Sequence, residues 1–332
     1  MILKWLCFSA ALLTWPLIPY GAFVRLKNAG LSCPDWPLCY GQLLPPAGYE
    51  IALETGHRFV AALLGLLIIT ITFVSFRQHS KYHIRGLALF SLVLVCIQGI
   101  IGALTVTLVL WPPIVTLHLI LGNLLFGVLV FLARITFSLE RLENSVENKS
   151  VFRVFQEKLG MRSRVGLMIA VLFLIIATGG YNSSTYSGLH CEAFPGCHEG
   201  SFFSFGMSGT DVSKLTGIEG HILQPAPVDY QGRFLPEFKN EWIHMMHRFI
   251  AVVGGLALIT MSWIWLKNRF GYNVINNFIV LLILLEILLG VLNSVLRVPV
   301  PISALHTAVA AALTGLMFYA FAENHHIKEK VC

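Results

Sequence analysis

Eight apolar stretches, each about the length needed to cross a bilayer, constrain this chain more than any other feature. They cover residues 5–23, 52–76, 86–110, 114–137, 165–181, 242–266, 274–296 and 302–322, the fifth being the shortest. A spanning helix takes about 20 mostly apolar residues and satisfies its own backbone polar groups in hydrocarbon. The reading is an all-α membrane protein with eight transmembrane helices. Composition agrees: 12% of residues are charged, against about 25% in a soluble domain. The net charge of +6 is what basic cytoplasmic loops produce. No basic stripe with interleaved aromatics points to nucleic acid. The first stretch follows a single Lys4 and has no small-residue cleavage site after it, so it reads as a retained helix rather than a signal peptide.

Lys and Arg in the connections set the orientation. Arg77, Lys81 and Arg85 follow the second stretch. Arg141, Lys149, Arg153, Lys158, Arg162 and Arg164 follow the fourth. Lys267 and Arg269 follow the sixth, and Lys328 and Lys330 lie in the tail. The long connection 182–241 carries only Lys214, Arg233 and Lys239. Both termini are therefore expected in the cytoplasm, and Arg25 and Lys27 do not reverse the balance. The N-terminus lacks the Arg- and Ser-rich character of a transit peptide, so a bacterial inner membrane is the expected location.

The chain repeats itself. "GLSCPDWPLCYG" from Gly30 is matched by "GLHCEAFPGCHEG" from Gly188, so that Gly21, Cys33, Pro37 and Cys39 fall on Gly179, Cys191, Pro195 and Cys197. "HRFVAALLGLL" at His57 falls on "HRFIAVVGGLA" at His247. Gln98, Gly102, Pro113, His118 and Gly127 fall on Glu286, Gly290, Pro301, His306 and Gly315. The offset changes only in loops. Each unit holds four helices, so both enter the membrane in the same sense, the parallel repeat related by an axis along the membrane normal. The expected architecture is two pseudo-twofold-related four-helix bundles, 1–140 and 164–332, joined by a cytoplasmic linker at 141–163.

Of seven cysteines, Cys33, Cys39, Cys191 and Cys197 form two equally spaced pairs on the expected outer side, where disulfides persist. Two disulfides closing small loops are the leading expectation. Free thiols, a redox role for Cys33 and Cys39, and a metal site are the alternatives, though zinc normally needs four ligands and no compact set is evident. Cys7, Cys96 and Cys332 carry no signal beyond their apolar character.

Four of the twelve histidines lie inside apolar stretches: His57, His118, His247 and His306. Ionisable groups there are costly and functional by default. Each sits near the start of a helix that runs from outside to inside, so all four share one depth near the outer surface. Two imidazoles meeting across a four-helix bundle suit axial ligation of haem iron. Gly65, Gly122, Gly127, Gly255 and Gly315 would either admit a flat macrocycle or serve ordinary helix packing. Glu54 lies one turn before His57, where the second half has His244. It reads either as a catalytic base facing a developing cation or as a partner of Arg58. Arg58 and Arg248 follow the histidines and read either as bidentate propionate ligands or as snorkelling interfacial residues. Glu286 needs a partner that its neutral mate Gln98 does not.

The stretch "GAFVRLKNAGLSCPDWPLCYG", followed by "ETGHRF", and the "HRF" and late histidine of the second half resemble the haem A synthase family over essentially the whole chain. That resemblance implies oxidation of a methyl group of haem O to a formyl group. The steps are successive hydroxylations and loss of water from the gem-diol, giving haem A for terminal oxidases. It implies that His57 and His118 flank the substrate haem O, that Glu54 is the catalytic carboxylate, and that His247 and His306 are axial ligands of a haem b cofactor. Cys33–Cys39 and Cys191–Cys197 match the family's outer-loop pairs. The implied partners are haem O, the haem O synthase that supplies it, an unidentified electron donor or acceptor, and the lipid bilayer. Self-association into a homo-oligomer is left open.

Two other classes compete on the residues alone. A di-haem electron carrier of cytochrome b type would use the same four histidines, but Glu54 occurs in one half only. A transporter would show broken helices and midplane charges, which the sequence does not clearly carry. The second outer loop, with His198 and His221, is long and has no assigned role.

Overall fold

The computed structural model describes residues 2–78, 82–143, 151–191, 193–197, 237–266 and 273–323. Its eight long helices are α1 Ile2–Leu26, α2 Tyr49–Arg77, α3 Tyr82–Thr107, α4 Pro112–Glu143, α5 Val151–Ser184, α6 Glu237–Leu266, α7 Asn273–Val295 and α8 Val300–Glu323. All eight are long and apolar enough to span a membrane, one for each apolar stretch. Among the described residues there is no strand, only an isolated bridge between Cys39 and Gln42. The loop charges Lys81, Lys149, Lys214, Arg233, Lys267, Arg269, Lys328 and Lys330 lie outside the described residues, as do His198, His221, Cys332 and most of the second outer loop.

Helix α5 begins at Val151, inside the segment expected as a linker. Hydropathy marks only the part of a helix that meets lipid, whereas backbone hydrogen bonding continues through good helix formers such as Gln156, Glu157, Lys158 and Leu159. Trp111-Pro112-Pro113 stands at the junction of α3 and α4. Pro112 opens α4, where its missing N–H costs nothing.

In the first half α1 packs on α2 and α4, and α3 packs on α2 and α4. In the second half α5 packs on α6 and α8, and α7 packs on α6 and α8. Each half is thus a closed ring in which α2 and α4, or α6 and α8, stand on the diagonal. The first core gathers Cys7, Ala10, Leu64, Ile68, Leu94, Leu129 and Leu132; the second gathers Met168, Leu172, Leu258, Ile279, Ile283, Leu313 and Met317. Large apolar side chains such as Leu66, Phe73, Leu174, Phe249 and Leu281 are exposed on the outside, which is lipid-facing surface in a membrane protein.

The halves also pack on each other, through α4–α8, α1–α8 and α4–α5. A Cβ on Gly315 would lie 2.8 Å from Phe126 Cε1, and one on its repeat mate Gly127 would run into the ring of Phe318. These glycines therefore serve close helix packing between halves. Gly255 faces Ile287 and Ile283, and Gly122 faces the Gln98 amide. Arg25 donates to Ser183, its own counterpart in the repeat.

The repeat extends to backbone detail. Of the non-glycine residues with positive φ, all but Tyr40 occur in matched pairs among the described residues: Asn28 with Tyr186, Val109 with Arg297, and Leu110 with Val298. The bond from Leu110 N to Thr105 O at 2.7 Å is matched by Val298 N to Asn293 O at 2.7 Å. Side-chain identity differs at all these positions, so the shared turn conformation, rather than a shared residue, is what the two halves retain.

Candidate functional site

The four membrane histidines come from the diagonal helices: His57 on α2, His118 on α4, His247 on α6 and His306 on α8. Each lies against a glycine near the end of the preceding helix. A Cβ on Gly21 would fall 2.9 Å from His57 Cε1, and one on Gly179 would fall 2.8 Å from His247 Cε1. The corresponding distances are 3.4 Å from Gly102 to His118 Cε1 and 3.7 Å from Gly290 to His306 Cε1. All eight helices therefore contribute to the two histidine pairs, and at Gly21 and Gly179 only glycine lets the backbone come this close.

The two pairs differ in what holds them. His247 Nδ1 meets Thr178 Oγ1 at 3.1 Å, and His306 Nδ1 meets the Glu286 carboxylate. Either contact, made with Nδ1–H as the donor, would leave Nε2 as the nitrogen able to bind a metal. In the first half Nδ1 of both His57 and His118 is buried without a hydrogen-bond partner among the described residues. Tyr20, the repeat mate of Thr178, sets its ring edge-on to His57 with centroids 5.6 Å apart and gives its hydroxyl to Leu53 O at 2.9 Å. The donor set fits a haem in either half: two imidazoles on diagonal helices, no group of three or more metal-ligating side chains among the described residues, and glycines keeping the flanking backbone close.

Above the histidines sit the cysteine loops. Cys33–Cys39 and Cys191–Cys197 are disulfide-bonded, as expected from their spacing, and all four are buried. The arginine directly after His57 and the one directly after His247 each clamp the loop of their own half. Arg58 Nη1 donates to Asp35 O at 2.7 Å and Leu38 O at 2.6 Å. Arg248 Nη1 donates to Ala193 O at 2.9 Å and Gly196 O at 2.7 Å, the matching carbonyls. A haem propionate would have to compete with these carbonyls for the same N–H groups.

Glu54 is 5% exposed. Its Oε1 pairs with Arg58 Nη2 at 2.6 Å. Its Oε2 accepts Cys33 N–H at 2.8 Å and lies 2.9 Å from the Ser32 hydroxyl. In the second half His244 takes this place, its Nε2 accepting from Arg248 Nε at 3.2 Å. The pairing of Glu54 with Arg58 is thus present, and it locks the carboxylate to the disulfide loop. In that loop Asp35 accepts the backbone N–H groups of Gly41 and Tyr40. The Gly41 N–H above all, with Tyr40 and the Arg58 charge, holds the Asp35 carboxyl below the usual carboxylate range against the smaller opposing effect of desolvation.

The glycines behind the histidines were visible in the sequence only as repeat matches, without a role. Thr178 had no signal, because its repeat mate is a tyrosine. His190 is paired with Asn240 at 3.2 Å and takes no part in the histidine pairs.

Comparison with known proteins agrees with this geometry. The family model described as cytochrome oxidase assembly protein, COX15-CtaA, matches residues 4–55 and 47–318. A protein of Shewanella oneidensis named haem A synthase is 28% identical over 335 aligned residues, covering 94% of each chain. One from Macrococcus caseolyticus is 24% identical, covering 96% of this chain and 95% of its own. One from Bacillus pumilus is 21% identical, covering 90% and 87%. Both bear the same name. With the match running through both histidine pairs and both disulfide loops, the chain belongs to the haem A synthase family of cytochrome oxidase assembly proteins.

Proposed function

We propose that this chain is a haem A synthase, an oxidoreductase that converts a methyl group of haem O to a formyl group. Each of two hydroxylations places one oxygen on the methyl carbon, and the resulting gem-diol loses water. The observation that carries the reading is the asymmetry between the histidine pairs. In the second half Nδ1 of His247 is hydrogen-bonded to Thr178 and Nδ1 of His306 stands against the Glu286 carboxylate as an ion-pair contact, which suits a resident group. In the first half neither Nδ1 has a hydrogen bond or a carboxylate beside it among the described residues, which suits a substrate that must enter and leave.

On this reading His247 and His306 hold haem b, which supplies one-electron redox chemistry when bound. His57 and His118 flank haem O and fix its plane. Glu54 is held by Arg58, Cys33 N–H and Ser32. It stabilises positive charge developing on the substrate and receives a proton at Oε1 or Oε2. Arg58 and Arg248 hold the loops that cover the two haems. The bundles 1–140 and 164–332 are the substrate and cofactor halves. Both termini face the cytoplasm of a bacterial cell, with the histidines near the outer surface of the inner membrane. The partners on this reading are a haem O synthase and an electron donor or acceptor. A di-haem carrier is not favoured, because the relatives are named as synthases and because Glu54 and His244 make the two halves unequal.

The test is extraction and chromatography of haems from the purified chain made together with a haem O source. Wild type should yield haem A or its hydroxylated precursor together with haem b. Glu54→Gln should keep haem b and lose about 100-fold or more of the conversion. Haem b alone in wild type, or full conversion by Glu54→Gln, sinks the proposal.

A further inference from the structure

Glu286 is a half-buried acidic group that the reaction as described does not use. It lies on α7 one turn before Gly290, the glycine that backs His306, and its side chain is 13% exposed. A carboxylate at this depth is expensive and needs a partner. The partner is His306 Nδ1. The repeat mate behaves differently: Gln98 Nε2 donates to the backbone carbonyl of His118 at 3.0 Å, and His118 Nδ1 has no partner among the described residues. The same helix position therefore ties α3 to the α4 backbone in one half and engages the imidazole itself in the other.

Resting on the reading that the second half holds haem b, we propose that Glu286 is a positioning residue that sets the tautomer and donor strength of His306. With the Glu286 carboxylate against Nδ1, a proton held on Nδ1 leaves the Nε2 lone pair as the ligand nitrogen. The carboxylate also makes the imidazole more basic, as carboxylates behind metal-bound histidines do. A more basic axial ligand favours the ferric over the ferrous state, and axial ligands and their hydrogen bonds are among the protein's main means of setting haem potential. The first half, with a neutral amide facing the backbone, gives its histidines no such strengthening. Charge behind one histidine of four thus separates a haem kept and poised from a haem received and released.

The experiment is redox titration of the purified full-length chain loaded with haem, followed by absorbance, in wild type, His306→Ala, Glu286→Gln and Glu286→Asp. His306→Ala tests the underlying reading, since a bis-histidine spectrum that survives it places the haem elsewhere. Glu286→Gln keeps size and the capacity to accept an N–H while removing the charge. It should retain a low-spin bis-histidine spectrum and shift the ferric-to-ferrous ratio at fixed poise about tenfold toward ferrous, a rise of about 59 mV for a one-electron couple. Haem dissociation should quicken by about 10-fold. Where Glu286→Gln does not accumulate, Glu286→Asp should move the potential the same way by less, because the charge stays but the contact lengthens. A purely packing role leaves the potential where it was, so an unchanged midpoint in whichever variant accumulates overturns the proposal.

Discussion

The backbone N–H of Cys33 donates to Glu54 Oε2 at 2.8 Å. Through that bond an outer-loop disulfide and the candidate catalytic carboxylate form one mechanical unit. The other oxygen of Glu54 is held by Arg58, and Arg58 in turn grips two carbonyls of the same loop. The second half repeats the arginine grip but puts His244 where the carboxylate stands. The loop of the first half is therefore coupled to a carboxylate, and the loop of the second is not.

Opening the first disulfide should disturb that carboxylate. Replacing Cys33 and Cys39 by Ser is expected to lower haem A formation about 10- to 100-fold, the order of loss that a displacement of about 1 Å produces in a positioned group. The haem b spectrum should not change. The same replacement at Cys191 and Cys197 should instead weaken haem b retention. Chromatography of extracted haems and the reduced absorbance spectrum check both halves.

Removing the arginines should have unequal costs. Arg58→Ala leaves Glu54 buried with its ion partner gone, which costs about 3–5 kcal/mol when an ion pair is broken from one side. Arg248→Ala faces the neutral-capable His244 and loses hydrogen bonds only, about 1–3 kcal/mol. Thermal unfolding in detergent should rank Arg58→Ala below Arg248→Ala. Glu54→Gln combined with Arg58→Ala should recover part of the difference.

Gly21→Ala and Gly179→Ala should each displace one histidine. The added Cβ would meet the imidazole at under 3 Å in both cases, closer than packing allows, and overpacking costs about 1–3 kcal/mol. Gly179→Ala is expected to lower haem b occupancy. Gly21→Ala should leave haem b in place and reduce conversion of haem O. Gly290→Ala, with 3.7 Å to His306 Cε1, should be close to neutral. Haem-to-protein ratio and product yield separate the three.

Asp35 gives the first loop a dependence on acid. Its folded-state carboxyl titrates below the unfolded value because the N–H groups of Gly41 and Tyr40 favour the charged form. The stabilisation is complete above the unfolded value, about 3.9, and is lost as pH falls through the lower, folded value. Asp35→Asn should therefore make the Cys33–Cys39 disulfide easier to reduce at neutral pH. The advantage of wild type should vanish at acid pH below the folded value. Reduction by a phosphine, which works across this range, would measure it.

What the sequence determined rests on features that survive without three-dimensional knowledge. Length and apolarity specify spanning helices, because a lipid-exposed backbone has so few ways to satisfy itself. Internal repetition brought His57, His118, His247 and His306 to equivalent places, and the paired spacing of Cys33–Cys39 and Cys191–Cys197 was enough to pair them. The tertiary structure decided what stands behind each histidine. Thr178 behind His247, Glu286 behind His306, and the glycines that let α1, α3, α5 and α7 approach depend on how each helix is rotated about its axis and how closely its neighbours pack. Those quantities come from many weak contacts summed across the bundle, and no local pattern in a chain encodes them. The same holds for Arg58 and Arg248: sequence placed them beside the histidines, but only the folded loops supplied the carbonyls that claim them.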